Sequence, residues 1–253
     1  MTTILGDIIE GTIMMGQRAA HAGAAVSPLP DGEHKAQTVE AMFDRIAPRY
    51  DLLNRLLTFG LDVRWRRRTV RELRLPRGSR VVDLACGTGD LCNDLERAGM
   101  LPLGVDFADG MLARAHTRAP LLRADILNLP LRTASFDGAT CGFALRNVTD
   151  IRRCFAETAR ILRPGGRAAF LEVATPRVAL LRLGHSLYFE RIVPWVGGLL
   201  SDRTAYRYLP ASAIYLPDPA ALQRMLADSG FAAVRRTPLG GGAAQLLSGT
   251  RRA

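Results

Sequence analysis

Two glycines set between carboxylates are the residues of this chain whose types and spacing point most clearly to chemistry. An apolar run reaches Asp83 and continues as LACGTGD, which contains Gly87 and Gly89. Because glycine has no Cβ, this loop can turn sharply and let a ligand approach its backbone. A pyrophosphate fits poorly, since Cys92 stands where the dinucleotide motif has its third glycine and Asp90 adds negative charge. The loop predicts a ligand with hydroxyls and positive charge, such as S-adenosylmethionine.

Two more acidic residues stand at the ends of the next two expected strands. Asp106 follows the glycine loop at about the spacing at which nucleotide-binding folds place the carboxylate for ribose hydroxyls. Asp125 and the backbone amide after it, at Ile126, can hydrogen-bond an adenine edge. Any one of these acids alone is typical of a helix cap or a turn, and an isolated glycine turn needs no ligand. Three acids in consecutive strand-end positions favour a binding site.

The elements that would position these residues alternate along the chain. Strands are predicted over Arg80–Leu84, Leu103–Asp106, Leu121–Ala124, Phe136–Phe143, Arg167–Val173, Ala232–Pro238 and Ala243–Gly249. Helices fall between most of them, including Leu91–Ala98 and Ile151–Leu162, with a turn at Pro164–Gly166. This order is typical of an α/β, Rossmann-like, doubly wound sheet of seven strands that is mostly parallel and ends in an antiparallel hairpin around Gly240–Gly242.

The chain divides into a short extension and one catalytic domain. Residues 1–35 are predicted to be a flexible N-terminal extension, because the part before Lys35 is rich in Ala, Gly, Pro and Ser. Residues 36–253 are predicted to form the domain. An insertion at about residues 175–217 carries many leucines and aromatic residues. Core filling is the ordinary explanation of such residues, and a lid over an apolar substrate is the alternative.

Composition restricts the class of protein. With 253 residues, 48% hydrophobic and 23% charged, the chain resembles an ordinary soluble protein that is long enough for one substantial core. The net charge is +10, yet Lys35 is the only lysine and the other basic residues are arginines spread along the chain. We interpret most of this charge as arginine used in place of lysine and predict no nucleic-acid partner. A basic surface is the alternative.

Cysteine and histidine spacing gives no sign of a metal site. The four cysteines form no CxxC pair and the four histidines are far apart in sequence, so we predict neither zinc nor a disulfide framework. The sequence contains no apolar run of bilayer-spanning length and does not open like a signal peptide. These features predict a cytoplasmic protein.

Five segments together carry a family resemblance. They are YDLLN at Tyr50–Asn54 with Trp65 downstream, the glycine loop at Asp83–Asp90, LRNVTD at Leu145–Asp150, LRPGG at Leu162–Gly166 and YRYL at Tyr206–Leu209. With them, residues 37–250 resemble the ubiquinone and menaquinone C-methyltransferases of the UbiE type. The glycine loop and the Pro-Gly-Gly turn occur in many class I methyltransferases, whereas LRNVTD and YDLLN are far more specific.

The resemblance implies which residues bind the cofactor and the substrate. It places S-adenosylmethionine against Thr88, Asp106, Asp125 with Ile126, and Gly142, in addition to the loop residues Asp83, Gly87 and Gly89. The resemblance also implies that the substrate-binding candidates are Tyr50, Asn54, Tyr206 and Tyr208. Two positions depart from the family, which often has serine at Gly142 and histidine at Asp62. The first departure removes a side-chain hydrogen bond, and the second removes a group suited to proton transfer.

The implied chemistry is methyl transfer from a sulfonium to a ring carbon of a prenylated quinol, with demethylmenaquinol as the favoured acceptor. Alignment of the two reacting atoms supplies much of the rate, so no covalent nucleophile is needed. Arg146 and Asn147 are the catalytic candidates, as contacts of the quinol oxygen. Arginine stays protonated, so Arg146 would stabilise the oxyanion and not act as the base. The alternative role of Arg146 is a structural ion pair with Asp150 or Asp137.

Other acceptors and partners stay open from the sequence. Another aromatic small molecule, or a benzoquinol of the ubiquinone pathway, would suit the same fold and cofactor. A nicotinamide oxidoreductase of the short-chain type is disfavoured, because no tyrosine has a lysine four residues later. The apolar segment at residues 180–200 predicts peripheral contact with the inner face of a membrane. Its alternative role is to cover the sheet or to form the contact of a homodimer.

Overall fold

The computed structural model describes residues 58–176 and 216–253, together with residues 39, 41–44 and 55. The expected N-terminal extension at residues 1–35 and almost all of the expected insertion at residues 175–217 lie outside these ranges. The substrate-binding candidates Tyr50, Asn54, Tyr206 and Tyr208 also lie outside them.

The described helices and strands alternate as the sequence predicts. The helices are α1 Leu61–Leu73, α2 Asp90–Arg97, α3 Asp109–Leu112, α4 Ile151–Ile161 and α5 Pro219–Asp228. The strands are β1 Arg80–Leu84, β2 Leu101–Asp106, β3 Leu121–Arg123, β4 Phe136–Gly142, β5 Leu162–Val173, β6 Phe231–Leu239 and β7 Ala244–Arg251. Short 3₁₀ turns lie at Leu145–Asn147 and Gly240–Gly242.

The seven strands form one sheet in the order β3-β2-β1-β4-β5-β7-β6. The pairs β1–β2, β2–β3, β1–β4 and β4–β5 are parallel, and β7 runs antiparallel to both β5 and β6. The chain therefore winds outward from β1 to β3, returns to the centre at β4, and finishes in a hairpin. This arrangement confirms the predicted doubly wound, mostly parallel sheet with its C-terminal antiparallel hairpin.

The beginning of β5 differs from the prediction. β5 begins at Leu162 and not at Arg167, so the expected turn at Pro164–Gly166 lies inside the strand. Pairing with β4 shifts there, because Phe136 faces Leu162 while Gly138 already faces Arg167. Proline cannot donate a ladder hydrogen bond, and Gly165 has a left-handed φ of 80°, so the segment forms an irregularity in the strand.

Hydrophobic clusters cover both faces of the sheet. Side chains alternate along each strand, so Val82 of β1 packs into one cluster and Val81 into the other. The first cluster contains α4 and α5, with the rings of Phe155 and Phe170 packed edge to face at 4.8 Å. The second contains α1 and α2. This burial leaves the carboxyl ends of the central strands as the edge at which side chains can meet a ligand.

The edge strand β6 is irregular. Its pairing with β7 shifts between Ala232 and Arg235, and Ala233 has a left-handed φ of 50°. The strand also carries Pro238 near its end.

Across the described ranges, no helix combines the length and the apolar character needed to cross a membrane.

Candidate active site

A cavity of about 240 Å³ lies at the carboxyl ends of β1, β2 and β4. The strand order reverses between β1 and β4, and in open α/β sheets this switch point is where ligands bind. The described residues that line the cavity are Val39, Phe43, Arg66, Asp83, Ala85, Cys86, Gly87, Thr88, Asp90, Leu91, Asp106, Phe107, Met111, Asp125, Ile126, Leu127, Gly142, Phe143, Ala144, Asn147, Val148 and Thr149.

Asp106, at the end of β2, holds the glycine loop in place. Its Oδ2 accepts a hydrogen bond from the backbone N–H of Gly87 at 2.7 Å, and its Oδ1 accepts one from Ala108 at 2.9 Å. Burial raises the pKa of this carboxyl above its ordinary value, while the backbone N–H groups oppose that shift. Each carboxylate oxygen has a further lone pair, so Asp106 can also accept from a ribose hydroxyl at the cavity wall.

Asp83, at the end of β1, is the most deeply buried of the three strand-end acids. The Thr140 hydroxyl donates to its Oδ1 at 2.7 Å, and the Cys92 thiol donates to its Oδ2 at 3.6 Å. Burial raises the pKa of Asp83 to about 7, and the nearby Asp106 carboxylate pushes it in the same direction. A carboxyl in this environment is stabilised as the anion by a cationic ligand.

Asp125 and Ile126 form the third part of the polar wall. The Asp125 carboxylate accepts from the backbone N–H of Leu127 at 2.9 Å, which fixes its direction in the turn after β3. Phe107, Ile126 and Leu127 add apolar surface to the same cavity. An edge with a carboxylate beside apolar side chains suits a purine ring.

Gly89 and Gly142 are both needed for close packing. Gly89 has a φ of 90° and precedes α2, and a Cβ there would lie 2.6 Å from Thr117 Cγ2. It is absent from the described cavity lining, so its contribution is to the course of the loop. Gly142 does line the cavity, and a Cβ there would lie 2.8 Å from Leu91 Cδ1. The serine common in the family would require Leu91 to move.

Arg66 is a cavity residue that the sequence analysis missed. It extends from α1 and donates to Asp62 Oδ2 at 2.7 Å, and its Nη2 lies 2.8 Å from Asp90 Oδ2. Asp90 also lies 3.2 Å from His116 Nε2. Asp62 is buried and accepts a second hydrogen bond, from the Thr58 hydroxyl at 2.6 Å. Asp62, which stands where the family often has histidine, therefore positions Arg66. Asp62 and Arg66 are four residues apart on one helix, and this i, i+4 spacing could have predicted the pair from the sequence.

Arg146 is buried and forms an ion pair with Glu172. Its guanidinium Nη1 donates to Glu172 Oε1, and its backbone N–H donates to Glu172 Oε2 at 3.2 Å. The alternative role, a structural ion pair, is what the described residues show, but its partner is Glu172 and not Asp150 or Asp137. Asp150 instead caps α4 by accepting from the backbone of Arg153 at 2.9 Å. Asp137 is likewise engaged elsewhere, because it accepts from an arginine in β5.

The turn that carries Arg146 also carries Asn147, which lines the cavity. Arg146 itself is absent from the described lining residues. Glu172, at the end of β5, is 1% exposed and also accepts from the backbone N–H of Val173 at 2.8 Å. This carboxylate anchors the Leu145–Asn147 turn from behind, so it fixes where Asn147 enters the cavity.

Phe143 forms an apolar part of the wall next to this turn. Its φ of 59° is unusual for a bulky residue, and its ring centroid lies 6.4 Å from that of Trp65 on α1. Together with Phe43, Met111 and Val148 it adds apolar surface to the cavity that the strand-end acids also line. The cavity can therefore hold a charged, hydroxyl-bearing ligand beside an apolar one.

The structure brings most of the predicted site residues together. Those that line the cavity are Asp83, Gly87, Thr88, Asp106, Asp125, Ile126, Gly142 and Asn147. The chemistry of this donor set fits S-adenosylmethionine, which has a ribose diol, an adenine edge and two positive charges. Their roles toward a cofactor stay predictions.

Solved structures share the fold at low sequence identity. A SAM-dependent methyltransferase of Thermotoga maritima, described as a possible histamine N-methyltransferase, aligns with a TM-score of 0.61 at 22% identity over 84% of this chain and 99% of its own. The phosphoethanolamine N-methyltransferase 2 of Haemonchus contortus, in complex with S-adenosyl-L-methionine, aligns with a TM-score of 0.52 at 14% identity over 71% of this chain and 50% of its own. At these identities the likeness shows the fold alone.

Sequence relatives are much closer. The chain is 46% identical to the demethylmenaquinone methyltransferase of Thermus thermophilus, over 83% of this chain and 100% of the relative. It is 43% identical to the demethylmenaquinone methyltransferase of Roseiflexus castenholzii, over 88% of this chain and 98% of the relative. It is 40% identical to the ubiquinone/menaquinone biosynthesis C-methyltransferase UbiE of Geobacter sulfurreducens, over 78% of this chain and 82% of the relative. The model of the ubiE/COQ5 methyltransferase family matches residues 32–251, and this chain belongs to that family.

Proposed function

We propose that this enzyme transfers a methyl group from S-adenosylmethionine to a ring carbon of a prenylated quinol, with demethylmenaquinol as the acceptor. The observation that carries the proposal is one cavity lined both by strand-end carboxylates and by apolar side chains, with Asn147 among its lining residues. The family and the names of the relatives from Thermus and Roseiflexus support the reaction type and the acceptor.

The cofactor half of the cavity is assigned to the glycine loop and the strand-end acids. When bound, S-adenosylmethionine supplies an electrophilic methyl group. In the proposal, Asp106 accepts hydrogen bonds from the ribose hydroxyls, and Asp125 with the Ile126 amide holds the adenine edge. Asp83 provides negative charge for a cationic ligand. Gly87 keeps the loop close to the ligand because no side chain intervenes.

The acceptor half is assigned to the wall formed by Phe143, Asn147 and Val148. The side chain of Asn147 would donate a hydrogen bond to the quinol oxygen, which favours its ionised form and makes the adjacent ring carbon nucleophilic. Arg146, which the sequence made the other catalytic candidate, is buried and paired with Glu172, so in the proposal it acts by positioning the turn that carries Asn147. Tyr50, Asn54, Tyr206 and Tyr208, which lie outside the described residues, stay the proposed candidates for binding the acceptor.

A prenylated acceptor also determines where the enzyme works. We assign the reaction to the cytoplasmic side of a membrane, because the prenyl tail keeps the acceptor in the bilayer while the cavity belongs to a domain with charged surfaces. The competing acceptors are a benzoquinol of the ubiquinone pathway and a soluble aromatic compound.

A methyl-transfer assay with several acceptors tests the proposal. The purified enzyme would receive methyl-labelled S-adenosylmethionine and one of four acceptors: reduced demethylmenaquinone, a prenylated benzoquinol, tail-less naphthoquinol or a simple phenol. We expect transfer to demethylmenaquinol to exceed transfer to the phenol by at least about a hundredfold, because several kcal/mol of binding is available from the apolar tail and ring.

Matched variants show whether the cavity is the site of the reaction. Asp106→Asn should weaken cofactor binding by about 1.5 to 3 kcal/mol, because the charged acceptor for the ribose is lost. Asp109→Asn changes an exposed acid near the same strand end and should leave calorimetric affinity unchanged. Equal transfer to the phenol and to demethylmenaquinol would contradict the prenylated acceptor. Unchanged affinity in Asp106→Asn would remove Asp106 from the site.

A further inference from the structure

The cavity wall contains one cation among several acids. Of the described residues that line it, only Arg66 carries a positive charge, whereas four carry carboxyl groups: Asp83, Asp90, Asp106 and Asp125. The Arg66 side chain is only 11% exposed, so water screens its charge much less than that of a surface arginine. Within the described lining, Arg66 is therefore the strongest partner for an anionic group of a ligand.

Contacts with two helices fix the position of the Arg66 guanidinium. Its Nη1 donates to Asp62 Oδ2 at 2.7 Å, one turn earlier in α1, and its Nη2 lies 2.8 Å from Asp90 Oδ2 at the start of α2. Its Nε lies 3.8 Å from Asp94 Oδ2 and is buried without a hydrogen-bond partner among the described residues. Because a guanidinium has five N–H donors, these contacts orient Arg66 and leave donors for a ligand.

The ion pairs around Arg66 contain more cations than anions. They join four arginines to three aspartates, namely Arg55, Arg66, Arg67 and Arg97 to Asp62, Asp90 and Asp94. Arg67 and Arg97 lie 4.0 and 2.9 Å from Asp94, and Arg55 lies 3.6 Å from Asp90. These three outer arginines offset the charges of Asp90 and Asp94. The aspartates therefore do not cancel the attraction of Arg66 for an anion.

The order of the strands gives the cofactor a direction along this edge of the sheet. The proposed function places the adenine edge at Asp125, after β3, and the ribose at Asp106, at the end of β2. The next strand in the sheet is β1, and the methionine part is attached to the ribose on the side away from adenine. The methionine part would therefore extend toward the glycine loop. Asp90 ends that loop and begins α2, and it contacts Arg66.

We propose that Arg66 binds the carboxylate of the methionine part of S-adenosylmethionine, and that Asp62 holds the Arg66 guanidinium in place for this contact. A hydrogen bond between two charged groups is stronger than one between neutral groups, above all where water is excluded. Asp62 is thus a positioning residue, whereas Arg66 contacts the ligand. The inference rests on the cofactor assigned in the proposed function and does not depend on which acceptor receives the methyl group.

Calorimetry of the full chain with two ligands tests this contact. S-adenosylmethionine and decarboxylated S-adenosylmethionine share the adenosine, sulfonium and ammonium groups, and only the first has the carboxylate. The ratio of their dissociation constants therefore measures the contribution of the carboxylate in each variant. We expect Arg66→Met to lower the preference for S-adenosylmethionine over the decarboxylated ligand by about tenfold to a hundredfold, because a hydrogen bond between charged groups is lost.

Three further variants separate this contact from effects on folding. Arg66→Met removes the partner of the buried Asp62, so a double variant with Asp62→Asn removes both charges and should show the same loss of preference. Asp62→Asn alone keeps the cation and should lower the preference by no more than about fivefold. Arg68→Met is the matched control, because Arg68 forms an i, i+4 pair with Glu72 on the same helix and is absent from the described cavity lining. It should leave the ratio unchanged, and thermal unfolding of each variant identifies misfolding.

Two results with these variants would overturn the inference. The first is an unchanged ratio in Arg66→Met and in the double variant, whether or not both affinities fall, which would show that Arg66 does not contact the carboxylate. The second is an equal change of the ratio in Arg68→Met, which would indicate a general effect of charge.

The wild-type protein separates this inference from the proposed function. An Arg66-dependent ratio without methyl transfer to either prenylated quinol would contradict the proposed acceptor and support the contact. Methyl transfer to demethylmenaquinol with an unchanged ratio in the Arg66 variants would contradict the contact alone. If the wild-type protein bound no S-adenosylmethionine, both proposals would be wrong.

Discussion

Two aspartates at neighbouring strand ends, Asp106 and Asp83, differ in their hydrogen-bond partners and in the pKa of the carboxyl group. Asp106 accepts two backbone N–H bonds, so it is held as the partner of the glycine loop. Asp83 accepts from a hydroxyl and a thiol. Burial raises the pKa of both carboxyls, and it raises that of Asp83 to about 7. The Asp106 carboxylate is therefore suited to hold one fixed orientation toward a ligand. The protonation of Asp83 is suited to change when a charged ligand binds.

The raised pKa of Asp83 predicts a pH dependence of stability. Between the ordinary value of 3.8 and about 7, the folded carboxyl keeps a proton that the unfolded chain has lost. Its contribution to the free energy of unfolding is therefore fully present below about pH 4 and is lost as the pH rises through about 7. Asp83→Asn should abolish this change, which amounts to at most about 4 kcal/mol.

Urea unfolding at a series of pH values measures this effect. Asp109→Asn, whose side chain is 64% exposed in the native protein, is the matched control and should keep the wild-type slope. A wild-type slope in Asp83→Asn would assign the pH dependence to another group.

The buried pair of Arg146 and Glu172 gives a second prediction. Glu172→Gln removes the carboxylate charge that lies beside the buried Arg146 guanidinium, so it should destabilise the fold by about 3 kcal/mol. Because the turn that carries Asn147 is anchored by the same carboxylate, kcat should also fall by roughly tenfold or more while cofactor affinity stays near its wild-type value.

A double variant separates the structural effect from the catalytic one. Glu172→Gln combined with Arg146→Met removes both charges and should recover most of the stability, as replacement of a buried pair by apolar groups often does. It should not recover kcat. If the double variant regained both stability and full turnover, neither residue would belong to the catalytic machinery.

At the scale of elements, short helices depend on how their first residues are held. Helix α4 begins with a side-chain cap from Asp150, whereas α2 begins at Gly89 with no side-chain cap. The conformation of the glycine loop therefore replaces a side-chain cap at the start of α2, and α2 carries Asp90 toward Arg66.

Gly89→Ala should destabilise the protein and weaken cofactor binding together. A left-handed φ costs a Cβ-bearing residue about 1 to 2 kcal/mol, and contact with Thr117 Cγ2 at 2.6 Å adds to this cost. Gly165→Ala is the control, because it has a similar φ of 80° and nothing within 4 Å of the added Cβ. Thermal unfolding and calorimetry should show the larger loss for Gly89→Ala, and Thr117→Ser should restore part of it. Equal losses would show that the contact has no effect.

Local patterns predicted the strands and their acidic ends, because a strand followed by a glycine loop is visible within ten residues. Long-range pairings could not be predicted in the same way. Arg146 and Glu172 are 26 positions apart, and they meet only because β4 and β5 are neighbours in the sheet. Asp137 and Asp150 are nearer to Arg146 in the sequence, but both have other partners. Asp137 accepts from Arg163 of β5, and Asp150 caps α4.

At the scale of the whole molecule, the distribution of charge matters more than its total. The net charge of +10 was interpreted mainly as arginine used in place of lysine, with a basic surface as the alternative. The exposed arginines on α1 favour that alternative for one face, because Asp62 and Glu72 are buried beneath them. A composition count cannot distinguish these cases, since it does not show which acids are buried.

The two edges of the sheet limit how copies of this chain can associate. β3 is only three residues long, and β6 carries a bulge, two arginines and Pro238. Short, charged and irregular edges offer few unpaired backbone groups in a straight row. Sheet extension from one copy to the next is therefore disfavoured at both ends. A homodimer of this enzyme would accordingly have to form through helices or loops.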